Sequence, residues 1–182
     1  MIWIHGGALT IGTSSFDLYN GEVLAAAADA VVVTINYRVS TLGFLYSSEV
    51  AEVGGNQGLF DQAAALEWVQ EHIRYFGGDP QRVTLMGQSA GGWSVSLHVL
   101  SPVTRNWFQS AIMMSGAVLD DFYTDGQQFE QLYLTGIRKV NCATDKDTTI
   151  TKEVVRCLQA LPAEDVDKIY NLVDRKSPLG MC

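Results

Sequence analysis

The sequence predicts an α/β fold with a mostly parallel central sheet and helices on both faces. Short apolar runs alternate with helix-forming segments up to about residue 118. A polar, acidic and helix-prone stretch follows and shows no further alternation. With 47% hydrophobic and 18% charged residues among 182, the composition is that of a globular protein and excludes a disordered tail. We therefore expect a sheet core in residues 1–118 and a helical cap or insertion in residues 119–182.

Each predicted element has a local signal. A continuous apolar run indicates a buried strand at residues 31–37, and an amphipathic pattern indicates a helix at residues 59–76 that Gly77 terminates. Ser101 and Pro102 stop a helix that begins near residue 89. The expected strands are residues 2–4, 31–37, 83–86 and 111–115, and the expected helices are residues 21–30, 59–76, 89–100 and 154–161.

The most specific motif lies where the third predicted strand meets the next helix and reads Gly87-Gln88-Ser89-Ala90-Gly91. A serine hydroxyl is a weak nucleophile at neutral pH, so enzymes expose it on a sharp strand-to-helix turn and direct a base at it. Glycines on both sides permit a strained backbone and crowded neighbours. The motif predicts that Ser89 is a nucleophile. An ordinary loop between two core elements is the alternative.

A second motif, His5-Gly6-Gly7-Ala8, follows the first predicted strand. Acyl transfer passes through a tetrahedral oxyanion that preorganised backbone N–H groups stabilise. Enzymes with a nucleophile elbow take one N–H from the residue after the serine and the others from a loop of this type. The two motifs together predict an oxyanion hole.

With both motifs present, the chain resembles the type B carboxylesterase and cholinesterase family of α/β-hydrolases. The resemblance covers about two thirds of the chain, through matching segments at residues 17–21, 36–45, 55–62, 68–73, 76–80 and 108–116. It implies a partial α/β-hydrolase fold and a serine carboxylic ester hydrolase that forms an acyl-enzyme at Ser89. The implied oxyanion donors are Gly7, Ala8 and Ala90. A noncatalytic adhesion protein on the same fold is the alternative, which an intact elbow around Ser89 disfavours.

The histidine base of such an enzyme is missing from the expected place. In this architecture the order is Ser, then Asp or Glu, then His, yet no histidine follows His98. His5, His72 and His98 are not placed to reach Ser89, and we expect structural or solvent-facing roles for them. The family has its acid and base further along the chain. We therefore expect residues 1–182 to be a single incomplete catalytic domain that is inactive alone.

The resemblance also implies a disulfide between Cys142 and Cys157, which would place the protein outside the cell or in the endoplasmic reticulum lumen. Two reduced cysteines in a cytosolic protein are the alternative. Gln88 stands where cholinesterases and many carboxylesterases carry a glutamate, which weighs against a choline ester and favours uncharged esters.

The expected partner is a small-molecule ester, and we expect no cofactor and no metal ion. A net charge of −8 and a pI near 4.7 disfavour nucleic acids and anionic membrane surfaces as partners. No apolar run approaches the roughly 20 residues of a spanning helix. The sequence leaves the oligomeric state open.

Overall fold

The computed structural model describes residues 1–118 and 125–173. Within them the backbone contacts define two compact units. The first unit contains residues 1–37 and 59–118, and the second contains residues 38–58 and 125–173. The sequence pattern gave no sign that residues 38–58 group with the later helical segment.

A four-stranded parallel sheet forms the centre of the first unit. Its strands are β1 (Ile2–Ile4), β2 (Val33–Ile35), β3 (Thr84–Gln88) and β4 (Ser110–Met114), in the spatial order β2-β1-β3-β4. All three pairings are parallel, which confirms the predicted sheet. The carboxyl ends of parallel strands meet at one edge, where α/β proteins place their ligands. The turns after β1, β3 and β4 therefore lie side by side.

The described residues contain seven α-helices, which are α1 (Glu22–Ala28), α2 (Ser40–Phe44), α3 (Gln57–His72), α4 (Ala90–Leu100), α5 (Gly126–Lys139), α6 (Lys152–Gln159) and α7 (Ala163–Leu172). The predicted helix at residues 59–76 is α3 followed by a 3₁₀ turn, Ile73–Phe76. Gly77 ends it in a left-handed conformation with φ 81°, as predicted. Within the described parts, none of the helices has both the length and the apolar character needed to cross a membrane.

The core of the first unit lies between the sheet and its helices. Ile4, Leu85 and Val95 are fully buried where α4 packs against β1, β3 and β4. Leu66 of α3 is also fully buried. Complete burial of a branched aliphatic side chain contributes about 1.5–3 kcal/mol. The apolar residues of β1 and β3 thus fix α4 over the middle of the sheet.

The second unit is helical and has its own core. Tyr133, Leu134 and Ile137 recur at helical spacing on α5 and are at most 1% exposed. A disulfide joins Cys142 to Cys157, with Cα atoms 5.5 Å apart, and so links the loop after α5 to α6. The predicted bridge is confirmed. The expected helical character of the segment is confirmed for residues 126–172 as well, whereas residues 119–124 and 174–182 lie outside the described residues.

Candidate active site

Ser89 is the one residue between β3 and α4. Its backbone has φ 55° and ψ −125°, a combination that residues other than glycine rarely adopt. Two hydrogen bonds hold it there: Ser89 N–H donates to the Met114 carbonyl over 2.8 Å, and Trp93 N–H donates to the Ser89 carbonyl over 2.9 Å. The strain costs on the order of 1–3 kcal/mol. The Ser89 hydroxyl does not cap α4, so the first turn of the helix leaves it free for another partner.

Close approach explains the two glycines of the motif. A Cβ atom on Gly91 would lie 2.1 Å from the Ile4 carbonyl oxygen, and one on Gly87 would lie 2.5 Å from the Gly91 carbonyl carbon. Gly116, after β4, would place a Cβ 2.4 Å from the Ser89 carbonyl oxygen. Gly87 and Gly91 do not have positive φ angles. The strained residue is therefore the serine itself, and the flanking glycines give it room.

The loop after β1 lies against this turn. A Cβ atom on Gly6 would be 3.2 Å from the Ser89 Cβ and 2.7 Å from the Gln88 carbonyl oxygen. Gly7 has φ 118°, and Ala8 follows with φ 55°. The Gly7 carbonyl accepts hydrogen bonds from the N–H groups of the third and fourth residues after it over 2.9 and 3.1 Å. Leu9 also has a positive φ of 61°, so three consecutive residues with positive φ turn the loop beside the serine.

Three backbone N–H groups in this region have no hydrogen-bond partner within the part of the chain that the structure describes. Among the described residues, no acceptor is bonded to the N–H of Gly7, Ala8 or Ala90. Ala90 is the first residue of α4, where N–H groups have no partner within the helix. Gly7 and Ala90 are half-buried and Ala8 is exposed. These N–H groups can donate hydrogen bonds to a negatively charged oxygen.

His5 supports the loop, and among the described residues its ring makes no hydrogen bond to Ser89. Its ring is fully buried, stacks on Tyr37 at 4.4 Å, and has Nδ1 2.8 Å from the Gly6 carbonyl oxygen. The Tyr37 hydroxyl donates to the His5 carbonyl over 2.9 Å. Burial raises the pKa of Tyr37, so the phenol keeps the hydrogen that it donates. A Cβ on Gly12 would lie 2.4 Å from His5 Nδ1, so this glycine lets the loop close over the ring.

The other two histidines also have partners away from Ser89. His72 is exposed on α3, where its Nδ1 lies 3.0 Å from the Trp68 carbonyl oxygen. His98 is 4% exposed, with Nδ1 3.1 Å from Thr104 Oγ1 and Nε2 3.0 Å from Gln62 Oε1. Burial lowers the pKa of His98 from 6.5 to about 4. His98 is therefore neutral at pH 7.

The sequence did not predict the polar network around His98. Ser94 bonds to Ala90 and to Gln62, and Gln62 in turn bonds to His98. Part of this network could have been predicted, because Ala90, Ser94 and His98 are spaced by four residues and therefore lie on one face of a helix. Nothing in the sequence indicated which residue of another helix would join them.

Comparison with known proteins places the chain in a family of esterases. The model of the carboxylesterase family matches residues 1–179. Cholinesterase 1 of Branchiostoma lanceolatum is 43% identical over 176 residues, which are 96% of this chain and 48% of that protein. Cocaine esterase of Oryctolagus cuniculus is 45% identical over 167 residues, which are 91% of this chain and 30% of that protein. Acylcarnitine hydrolase of Mus musculus is 42% identical over 177 residues, which are 95% of this chain and 30% of that protein.

The alignments cover nearly all of this chain but only part of each relative. The chain spans from under a third to about half of the length of these curated relatives. The family model nevertheless extends across both described units and includes both motifs at the carboxyl edge of the sheet. The chain belongs to the carboxylesterase family.

Proposed function

We propose that this chain carries the nucleophile and the oxyanion donors of a serine carboxylic ester hydrolase. The backbone of Ser89 is the observation that carries the proposal. A strain of on the order of 1–3 kcal/mol at a single residue is retained where function requires it. Here it presents a hydroxyl at the carboxyl edge of a parallel sheet, beside a loop with unused N–H groups.

In the proposed mechanism the Ser89 Oγ attacks the carbonyl carbon of an ester, and its proton passes to a base. The carbonyl oxygen of the resulting tetrahedral intermediate carries the negative charge, which the N–H groups of Gly7, Ala8 and Ala90 stabilise. Loss of one such donor typically costs about 3–4 kcal/mol of transition-state stabilisation. The alcohol leaves, the acyl group remains on Ser89 Oγ, and water attacks the acyl-enzyme to release the acid.

The base in this proposal does not come from residues 1–182. His98 is buried with both ring nitrogens bonded, His5 is buried with Nδ1 against the Gly6 carbonyl oxygen and with no described partner for Nε2, and His72 interacts with Trp68 on α3. Without a base, the serine hydroxyl remains a weak nucleophile. We expect residues 1–182 alone to show no sustained ester hydrolysis.

The proposed substrate is an uncharged carboxylic ester. Gln88, directly before the nucleophile, has an exposed, neutral side chain and offers no carboxylate to a cationic substrate. The relatives named above are a cholinesterase, a cocaine esterase and an acylcarnitine hydrolase, so their names do not point to a single ester, and the proposal of an uncharged ester rests on Gln88 alone. The disulfide between Cys142 and Cys157 favours an oxidising compartment, and we propose secretion or the endoplasmic reticulum lumen.

An organophosphate probe tests the assignment of the nucleophile. In the enzyme that contains this stretch, the probe is expected to modify Ser89, as located by peptide mass spectrometry, and Ser89→Ala is expected to abolish the labelling. Ser15→Ala, at an exposed serine of the same unit, is the control that keeps it. Labelling that survives Ser89→Ala contradicts the proposal. Sustained ester hydrolysis by residues 1–182 that Ser89→Ala abolishes would support the nucleophile but refute the statement about the base.

A further inference from the structure

A buried chain of hydrogen bonds runs along one face of α4 from its first residue. The Ser94 hydroxyl donates to the Ala90 carbonyl over 2.9 Å. Gln62 reaches in from α3, and its Nε2 donates to Ser94 Oγ over 3.2 Å while its Oε1 lies 3.0 Å from His98 Nε2. Gln62 and Ser94 are fully buried, and His98 is 4% exposed. We call Gln62, Ser94, His98 and Thr104 the elbow network.

The positions of the hydrogens follow from what each atom can donate. The Ser94 hydroxyl has one hydrogen, which points at Ala90, so its oxygen accepts from the Gln62 amide nitrogen. Gln62 Oε1 is an acceptor only, so His98 Nε2 must carry the ring hydrogen. Neutral His98 then has a bare Nδ1, which lies 3.1 Å from Thr104 Oγ1, and the single hydrogen of that hydroxyl is shared between Nδ1 and the His98 carbonyl oxygen at 3.2 Å. Each bond in the network thus constrains the direction of the next.

Resting on the proposed function, we propose that Gln62, Ser94 and His98 are positioning residues that fix the orientation of Ala90 beside the nucleophile. Ala90 contributes one of the assigned oxyanion donors through its N–H. Its carbonyl, on the following peptide, is held by Ser94. Holding the carbonyl side of a residue limits the rotation of its N–H side. Small displacements of catalytic groups reduce rates substantially, so a fixed Ala90 has a direct use.

The charge state of His98 keeps this arrangement uniform at neutral pH. Because burial lowers the pKa of His98 to about 4, the ring carries one hydrogen at pH 7, and the orientation of the Gln62 amide assigns that hydrogen to Nε2. The reverse direction is chemically possible. If the Gln62 amide turned by half a rotation, the ring hydrogen would move to Nδ1 and the Ser94 hydroxyl would donate to Gln62 in place of Ala90. The position of the ring hydrogen therefore reports whether the Ser94 hydroxyl donates to the Ala90 carbonyl, in addition to the backbone hydrogen bond that this carbonyl accepts within α4.

Nitrogen-15 NMR of the histidine rings at pH 7, on the protein of residues 1–182, tests the proposal. The chain has three histidines, so the ring spectrum is simple. The expected result is a His98 ring with its hydrogen on Nε2. A hydrogen on Nδ1 would overturn the proposal, and this measurement needs no variant.

Two pairs of variants test the coupling. Ser94→Ala is expected to shift the His98 hydrogen toward Nδ1, because the Gln62 amide nitrogen loses its acceptor. Ser96→Ala, a buried serine on the same helix that bonds to Trp93, is expected to leave it in place. Gln62→Leu is expected to move the Ala90 amide signal. Gln70→Leu is its control on the same helix, since Gln70 bonds to the carbonyls of Pro80 and Trp107.

An unchanged His98 ring in Ser94→Ala, or an unchanged Ala90 signal in Gln62→Leu, would overturn the proposal. These readouts do not depend on esterase activity. A failure of organophosphate to label Ser89 would therefore refute the proposed function and leave the results on the network to be judged separately.

Discussion

Replacing Gly91 with alanine tests the most severe steric constraint at the turn that contains Ser89. In an exposed helix, glycine to alanine stabilises by about 1 kcal/mol because alanine has the higher helix propensity. At Gly91 the added Cβ would lie 2.1 Å from the Ile4 carbonyl oxygen, whereas ordinary van der Waals contact begins at 3.4 Å. The overlap is 3.4 − 2.1 = 1.3 Å. We therefore expect the sign of the effect to reverse.

The size of the effect follows from what would have to move. The opposing atoms are backbone atoms of Ile4 and His5, and Ile4 is paired on both sides within the sheet, so no side-chain rotation relieves the clash. Overpacking typically costs about 1–3 kcal/mol, and because backbone atoms cannot move aside we expect the upper end, about 3 kcal/mol. After subtracting the helix gain of about 1 kcal/mol, the free energy of unfolding falls by about 2 kcal/mol. For a chain of this size the melting temperature falls by about 4–8 °C.

Tryptophan fluorescence during urea or thermal unfolding is the assay, because all four tryptophans lie in the first unit. Gly92→Ala, at the next position of α4, is the matched control. Its Cβ would lie 3.0 Å or more from its nearest neighbours, so its cost should be clearly smaller. A Gly91→Ala protein as stable as the parent, or less perturbed than Gly92→Ala, would refute the steric account of the motif.

Three further results are expected. Ser89→Gly should raise the free energy of unfolding by about 1 kcal/mol, because it relieves backbone strain of about 1–3 kcal/mol and adds an entropy cost of about 0.5–1 kcal/mol for the glycine. A variant that is less stable than the parent in urea titrations would contradict this. Between pH 6.5 and about 4 the unfolded chain binds a proton at His98 that the folded protein excludes, so the free energy of unfolding should decrease by up to about 3 kcal/mol as the pH is lowered. His98→Asn should flatten this pH dependence, measured by tryptophan fluorescence, and an equal slope in the variant would refute the assignment. Replacing Cys142 and Cys157 with serine opens a loop with a sequence separation of 15 and should lower the free energy of unfolding by about 3 kcal/mol. Thermal unfolding followed by circular dichroism checks this, and an unchanged melting temperature would show that the bridge adds no stability.

Local sequence patterns were sufficient for most of the first unit. Continuous apolar runs predicted the strands, and the sheet is parallel as expected. The strand predicted at residues 31–37 is only Val33–Ile35, because apolar runs do not show where pairing with β1 begins and ends. The five-residue helix α2 was not predicted, since so short a segment has no measurable periodicity.

The sequence by itself determined that Ser89 lies on a turn between a strand and a helix and that a glycine-rich loop follows another strand. Both are local patterns, in which turn chemistry and apolar runs act over a few residues. Only the tertiary structure decided that this loop lies against the serine, that Gly91 faces Ile4, and that Gln62 joins Ser94 to His98. These contacts connect residues about 30 to more than 80 positions apart. They depend on how strands pair and helices pack, which no local pattern specifies.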